Sequence, residues 1–314
     1  MIRHHKILSS FYALLLFAPL LFNHQPLYIN YQGKHYLPFL FPYSEQELGG
    51  KRLTQINFSD PQIQHLIKPY TKVTAPYPHD GTSIDQHTSH ALQAPSQSHW
   101  LGTNSAGQDI LAYSMFAIRH DLFLCLILCT ISLSLGTIIG TAIGYLGGNY
   151  DLIGQRVIEI AKSIPLTYLM IIAHTSHHPM PCFFILYTLT QWTKTASTAR
   201  IEAIQIRGQP YIQDARCAGL SHRFIIQHHM LCHIRPLVER LSPYLIISTL
   251  GAINTLDYLG ISVTGLQPSL GKLTYEAKCH PEAIWILLAC FASYSVVILS
   301  LVYIQQTYQI KRAT

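Results

Sequence analysis

From Leu122 to Leu146 the chain runs for 25 residues without a charged side chain, and few folds accept such a run. About 20 consecutive apolar residues in a helix cross about 30 Å of hydrocarbon. Further apolar runs lie near Ile7 to Phe22, Ile153 to Ala173, Pro181 to Ala196, Leu237 to Leu256 and Ala283 to Tyr303. The pattern predicts an all-α membrane protein with about six transmembrane helices. Charged residues are 11% of the chain, against about 25% in soluble domains, which argues against a soluble enzyme. A polar block, residues 24 to about 116, keeps the overall hydropathy only mildly positive. The expected organisation is a membrane anchor over 1–23, an irregular external segment over 24–116, and a helical membrane domain over 117–314.

Orientation follows from the excess of Lys and Arg that short cytoplasmic loops carry. The first run follows Arg3 and Lys6 and lacks a small-residue cleavage pattern, so it reads as an uncleaved anchor. Both termini, including Lys311 and Arg312, are expected inside. The loop from Thr195 to about Arg240 carries six Arg against Glu202, Asp214 and Glu239, which also places it inside. The loop from Tyr258 to Glu282 balances Lys272 and Lys278 with Glu276 and Glu282, as an external loop does. The fourth apolar run is short, and Lys194 would snorkel to the inner interface if that span begins at Pro181. Glu159 and Lys162, three residues apart, read as a helical ion pair.

The seven cysteines all lie outside the 24–116 segment, so no disulfide framework is indicated there. The net charge of +6 is accounted for by the Arg of the inner face, and no nucleic-acid partner is expected from it. A phosphate-binding loop G-x-x-x-x-G-K-S/T is absent from the sequence, and no residue stands out as catalytic.

Between the apolar runs sits YIQDARCAG (Tyr211–Gly219), followed by LSHRFIIQHHMLCHIRP (Leu220–Pro236). Ala215 and Ala218 are small enough to let another protein surface approach closely, and Gly219 suits the left-handed position that ends a helix. Ser221 then caps a second helix with Phe224, Ile225 and Met230 as its apolar stripe. An Arg-rich helix-Gly-helix between membrane spans is what a transport channel offers to a cytoplasmic motor. Gly136, Gly140 and Gly144 fall on one helix face and predict close helix packing, either within this chain or against a partner. Gly147-Gly148 ends that span in a tight turn. Asp257, at the outer end of the fifth run, either lines a translocation path or is a satisfied interfacial residue, since carboxylates in a membrane are costly unless wet or paired. Two clusters among the 18 His, His174–Cys182 and His228–His233, have side chains that ligate zinc or nickel, but no metal is assigned to them.

These motifs resemble those of bacterial ABC importer permeases. The cytoplasmic signature of that family, Glu-Ala-Ala with a later Gly, is matched by Gln213, Asp214, Ala215 and Gly219. LGTNSAGQDIL (Leu101–Leu111) resembles the LGT-D-x-x-G-R-D-V/I-L element of the dipeptide/oligopeptide/nickel group, YLGGNYD (Tyr145–Asp151) its GY-x-GG-x-x-D turn, and LDYLG (Leu256–Gly260) with PSLG (Pro268–Gly271) its late elements. GQRVIE (Gly154–Glu159), YQGKHY (Tyr31–Tyr36) and Gly49-Gly50 extend the similarity to the second permease of the Yej-type importers, associated with microcin C and oligopeptides. Gln213 replaces the consensus Glu, Asn104 an Asp, Gln108 an Arg and Cys232 a Pro.

The resemblance implies a type I ABC importer permease fold in a bacterial inner membrane, with residues 24–116 periplasmic and a coupling loop at about 195–236. In that setting Tyr211, Gln213, Asp214, Ala215, Ala218 and Gly219 would form the ATPase-coupling element, and Asp257 and Gly260 the path or external gate. The implied partners are a second homologous permease, two cytoplasmic ATPase subunits or domains and a periplasmic substrate-binding protein. ATP would be used by those partners, with no cofactor in this chain. The expected cargo is peptide-like. Nickel or another small solute, or a remnant that no longer transports, are the alternatives.

Overall fold

Helix formation begins where Asp109 caps it. Its Oδ1 accepts a hydrogen bond from the Ala112 amide at 2.9 Å, satisfying one of the N–H groups that a helix start leaves without a partner. A computed structural model describes residues 18–23, 25–31, 34–38, 43–44, 71–79, 81, 91–174, 179–261, 265 and 267–313. Among them, α1 spans Ala18–Leu21, the strands β1, β2 and β3 span Tyr28–Tyr31, Lys34–Tyr36 and Thr71–Val73, and the capped helix α2 runs from Ile110 to Leu146. There follow α3 (Gly148–Ser163), α4 (Leu166–His174), α5 (Pro179–Arg207), α6 (Pro210–Cys217), α7 (His222–Ile225), a π-helical turn (Ile226–Met230), α8 (Leu231–Tyr258), α9 (Leu270–Cys279) and α10 (Ile284–Ala313).

Two of these helices, over Ile110–Leu146 and Ile284–Gln306, are long and apolar enough to cross a membrane. The expected first span lies outside the described residues except for its end at α1. The run expected as one span from Ile153 to Ala173 is two helices, α3 and α4. Pro165 explains the break: its ring disfavours the helical region for the preceding residue, and Ile164 is extended at φ −86°, ψ 115°. The loop expected from Thr195 is instead helical through Arg207, because α5 continues past its apolar part. The external segment, expected to be irregular, contains an antiparallel three-stranded sheet in the order β2-β1-β3, with Ile29 opposite Tyr36 on one side and Lys72 on the other. Strands of three or four residues are too short to show a period of two in sequence.

The chain divides into two compact units, residues 1–120 with 266–295 and residues 121–265 with 296–314. In the first, Asp109 also accepts hydrogen bonds on Oδ2 from the Tyr77 hydroxyl at 2.7 Å and pairs with His99 Nδ1 at 2.9 Å. Ser105 donates its amide to Glu276, and the Trp285 indole donates to the Thr103 carbonyl at 3.3 Å.

In the second unit the three glycines of α2 lie against α5. A Cβ on Gly136 would sit 2.5 Å from the Trp192 carbonyl oxygen, and one on Gly144 2.5 Å from that of Arg200. On Gly140 it would collide with the Ala196 backbone. The glycine face therefore packs within this chain, with backbones close enough that no side chain fits between them. Farther along α5, Tyr187 and Thr249 of α8 share a hydrogen bond of 2.6 Å, and Cys129 of α2 lies 3.0 Å from the same Thr249 hydroxyl.

Candidate functional site

The helix-Gly-helix begins with Pro210 in the first turn of α6, where its missing N–H costs nothing. Gly219 takes φ +78°, its amide bonds to the Arg216 carbonyl at 3.0 Å, and the Leu220 amide reaches back to the Ala215 carbonyl at 3.2 Å. This pair of bonds is a Schellman motif, which consumes carbonyls left open at a helix end. A Cβ on Gly219 would meet nothing within 4 Å. Backbone conformation, not crowding, therefore calls for glycine here. Ser221 caps α7 by accepting from the Phe224 amide at 3.3 Å, as the sequence predicts.

The element has two faces. Ile212, Ala215, Ile225, Met230 and Ile234 are buried with Tyr145, Ala199, Ala203 and Ile206 in one apolar cluster. On the other face Tyr211, Gln213, Asp214, Ala218, Gly219, Leu220 and Phe224 are exposed. Ala215 and Ala218 thus serve different surfaces, and the close approach that Ala215 permits is to its own chain. Gln213 donates to the Gly208 carbonyl at 3.3 Å, a local bond that a carboxylate in its place would not donate.

A residue with no assigned role beyond its turn motif, Tyr145, holds the element in place. It is fully buried. Its hydroxyl accepts from Arg216 Nε at 3.3 Å and lies 3.0 Å from His222 Nδ1. Arg216 Nη2 also donates to the Tyr145 carbonyl oxygen at 3.2 Å. One residue of α2 thereby touches both α6 and α7. The sequence signal was an aromatic residue two positions before Gly147 in the Gly147-Gly148 turn, whose φ values are +69° and +56°. Beside that turn, Asp151 of α3 forms a bidentate pair with Arg200 of α5, at 2.5 Å to Nε and 2.7 Å to Nη2. Arg200 Nη2 also donates to Gln155 at 3.0 Å. Hydrogen bonding to Arg200 holds the Asp151 carboxyl below the usual carboxylate range.

Asp257 and Gly260 occupy a second turn of the same kind. Gly260 has φ +80°, its amide bonds to the Asp257 carbonyl at 3.1 Å, and Ile261 reaches back to Leu256 at 2.9 Å. Asp257 is buried and Gly260 exposed. Other expectations change. Glu159 pairs with Arg156 at 2.7 Å and accepts from Gln155 at 2.8 Å, while Lys162 donates to Ser197 of α5 at 2.8 Å, so Glu159 and Lys162 are not an ion pair. Lys194 donates to Ser248 of α8 at 3.2 Å.

In the second His cluster, His228 stacks on Phe224 at 4.3 Å and His233 lies 5.4 Å from Tyr211. Of the first cluster, residues 175–178, with His177 and His178, lie outside the described residues. In the external element, the two departures from the consensus charges meet each other: Asn104 Nδ2 donates to Gln108 Oε1 at 2.9 Å. Asn104 Oδ1 additionally accepts from the amides of Ala106 and Gln108, at 3.1 and 2.8 Å.

Residues 136–314 match the family of binding-protein-dependent transport system inner membrane components. Over 296 residues, 93% of this chain and 87% of the relative, the chain is 31% identical to the inner membrane ABC transporter permease protein YejE of Escherichia coli strain K12. It is 25% identical over 322 residues, 93% and 84% of the two chains, to the peptidoglycan transport system permease protein YejE of Agrobacterium fabrum. To the oligopeptide transport system permease protein OppC of Mycobacterium bovis it is 26% identical over 217 residues, 68% and 73%. The match covers α3 to α10, including the helix-Gly-helix on its Tyr145 anchor, and the chain belongs to the inner membrane permease components of binding-protein-dependent ABC importers.

Proposed function

We propose that this chain, with a second homologous permease, forms the translocation path of an ATP-driven importer for peptide-like substrates. A periplasmic binding protein delivers the cargo, and two cytoplasmic ATPase subunits or domains hydrolyse ATP. The permease crosses the membrane about six times with both termini inside. The names of its relatives, oligopeptide and peptidoglycan transport permeases, support a cargo built on peptide bonds.

The observation that carries the reading is the two-faced α6–Gly219–α7 element. Its inner face is clamped to Tyr145 and α5, and its outer face presents Tyr211, Gln213, Asp214 and Ala218. An element exposed on one side and rigidly joined to long helices on the other acts as a lever. Closure of the ATPase pair shifts α6 and α7 as a body, and the motion passes through Tyr145 to α2 and through the shared apolar cluster to α5 and α8. Asp257 and Gly260, at the far end of α8, belong to the external gate. No chemistry on the cargo is required of this chain.

The test is peptide uptake by the complete complex reconstituted in vesicles, with Gly219→Trp and Asp214→Lys introduced together in this chain. The expected result is loss of ATP-driven uptake with the complex still assembled. Unchanged uptake and unchanged stimulation of ATP hydrolysis by the loaded binding protein would overturn the docking role.

A further inference from the structure

Ile225, Met230 and Ile234 are buried in one apolar cluster with Tyr145, Ala199 and Ala203, yet they are spaced by five residues and then by four. A regular α-helix turns about 100° per residue, so five residues overshoot the starting face by about 140°. The helical backbone nevertheless runs unbroken from α7 into α8, with Ile225, Ile226, Met230 and Leu231 all at right-handed helical angles. The conflict is absorbed in the π-helical turn over Ile226–Met230, where the Leu231 amide bonds the Ile226 carbonyl, five residues back. One extra residue enters that turn, and Ile225 and Met230 come to face the same cluster.

The other side of the turn is open. Arg223, Phe224, Gln227 and His228 are exposed, and the His228 ring lies flat on Phe224, with Nδ1 donating to the Phe224 carbonyl at 3.3 Å. Two prolines follow within α8, Pro236 and Pro243. Each removes one amide from the ladder and clashes with the turn before it, so the bend it makes is permanent. The Glu239 carbonyl, four residues before Pro243, accepts from the Ser242 hydroxyl at 3.0 Å instead.

The π turn differs from the prolines in being reversible. Moving the Leu231 amide from the Ile226 to the Gln227 carbonyl changes a bond five residues long into one of four, and the donor stays paired. Water on the open side of Gln227 and His228 takes up the carbonyl that is released. Without such a turn, a helix unbroken from His222 to Tyr258 would carry any tilt of α7 rigidly to the far end of α8. Ile225 and Met230 are meanwhile held in the cluster with α5, so α7 is free to tilt but not to slide.

We propose that the Ile226–Met230 turn is the joint at which the α6–Gly219–α7 element tilts against α8 when the ATPase pair closes. The tilt is accommodated by exchange between five-residue and four-residue hydrogen bonds in this one turn. The proposal rests on the coupling reading above and adds the place where the connection to α8 yields.

The test is amide hydrogen exchange, read by mass spectrometry on the complete complex, without nucleotide and trapped with ADP and vanadate. Exchange over 225–232 is expected to differ at least about fivefold between the two states, and exchange over 245–258 by less than about twofold. Equal exchange over 225–232 in both states, or a change as large throughout α8, overturns the proposal. Deleting Gln227 leaves Ile225 and Met230 four apart, a spacing that a plain α-helix keeps on one face. The difference between states is expected to vanish in that variant, and its persistence overturns the joint. Slower exchange over 208–219 in the complex than in this chain alone shows that α6 is docked, and its absence fails the coupling reading by itself. The joint is then judged on the chain alone. Exchange over 225–232 at least about tenfold faster in wild type than in the deletion variant supports it, and equal exchange overturns it.

Discussion

Arg216 lays its guanidinium over the Tyr145 ring, with Cζ 4.5 Å from the ring centroid, while Nη2 bonds the carbonyl oxygen of the same residue at 3.2 Å. A cation on an aromatic face is worth about 0.5–2 kcal/mol, and the two hydrogen bonds add about 1 kcal/mol each. Because Tyr145 lies in the last turn of α2 and Arg216 belongs to α6, this contact ties the exposed α6–Gly219–α7 element to the longest helix among the described residues. His222, 3.0 Å from the same hydroxyl, ties α7 to it as well.

Tyr145→Phe keeps the ring under Arg216 but removes the hydroxyl from Arg216 and His222. A loss of about 1 kcal/mol shifts a two-state equilibrium about fivefold. Uptake per ATP hydrolysed is therefore expected to fall about fivefold, with only a small drop in thermal midpoint. Measuring transport and phosphate release on the same vesicles checks it, and an unchanged ratio would show that the hydroxyl does not hold the lever.

Glycine substitutions should sort by what a Cβ would meet. Gly140→Ala forces α5 away from α2 and is expected to cost about 1–3 kcal/mol. Gly251→Ala, in the interior of α8 with nothing within 4 Å of the new carbon, is expected to stabilise by about 0.5–1 kcal/mol. Thermal unfolding of the two purified variants in detergent gives the sign of each change directly.

The Asp151–Arg200 pair predicts a pH dependence confined to acid. Asp151 lies just before the apolar run that starts at Ile153, and Arg200 depresses its folded pKa. A depressed carboxyl stabilises the fold above the unfolded value, about 3.9, and that contribution is lost as pH falls through the lower folded value. The thermal midpoint of Asp151→Asn is expected to lie below that of wild type at pH 7. The gap should close as pH drops below about 4, and a gap that is flat from pH 7 to pH 3 would remove the pair as its cause.

Asn104 and Gln108 form a neutral pair where the family consensus carries an acid and a base. Replacing both, Asn104→Asp with Gln108→Arg, is expected to recover an ion pair without disturbing the two amides that Asn104 Oδ1 accepts. A double-mutant cycle on thermal stability should give a favourable coupling of about 0.2–1 kcal/mol. A coupling of zero would mean that the two side chains do not meet.

Local chemistry was legible wherever a short stretch of chain decides its own conformation. Gly219 in the left-handed region, Ser221 as a cap and Gly147-Gly148 as a turn all depend on neighbours within a few residues. The break at Pro165 was equally available from the sequence, but the apolar run across it suggested one continuous span. The extension of α5 to Arg207 was not, since hydropathy marks where a helix is apolar and says little about where it ends.

The sequence by itself determined the membrane class, the family, and the existence and handedness of the helix-Gly-helix, because hydrophobic length and backbone preference act along the chain. Only the tertiary structure decided what those parts press against. It turned the glycine stripe toward α5, sent Ala215 inward and Ala218 outward, gave Lys162 to Ser197 instead of Glu159, and made Tyr145 the anchor of Arg216 and His222. Those outcomes depend on residues 35 to 77 positions apart meeting across packed helices. Such meetings are set by the mutual fit of surfaces, and spacing along one helix does not encode them.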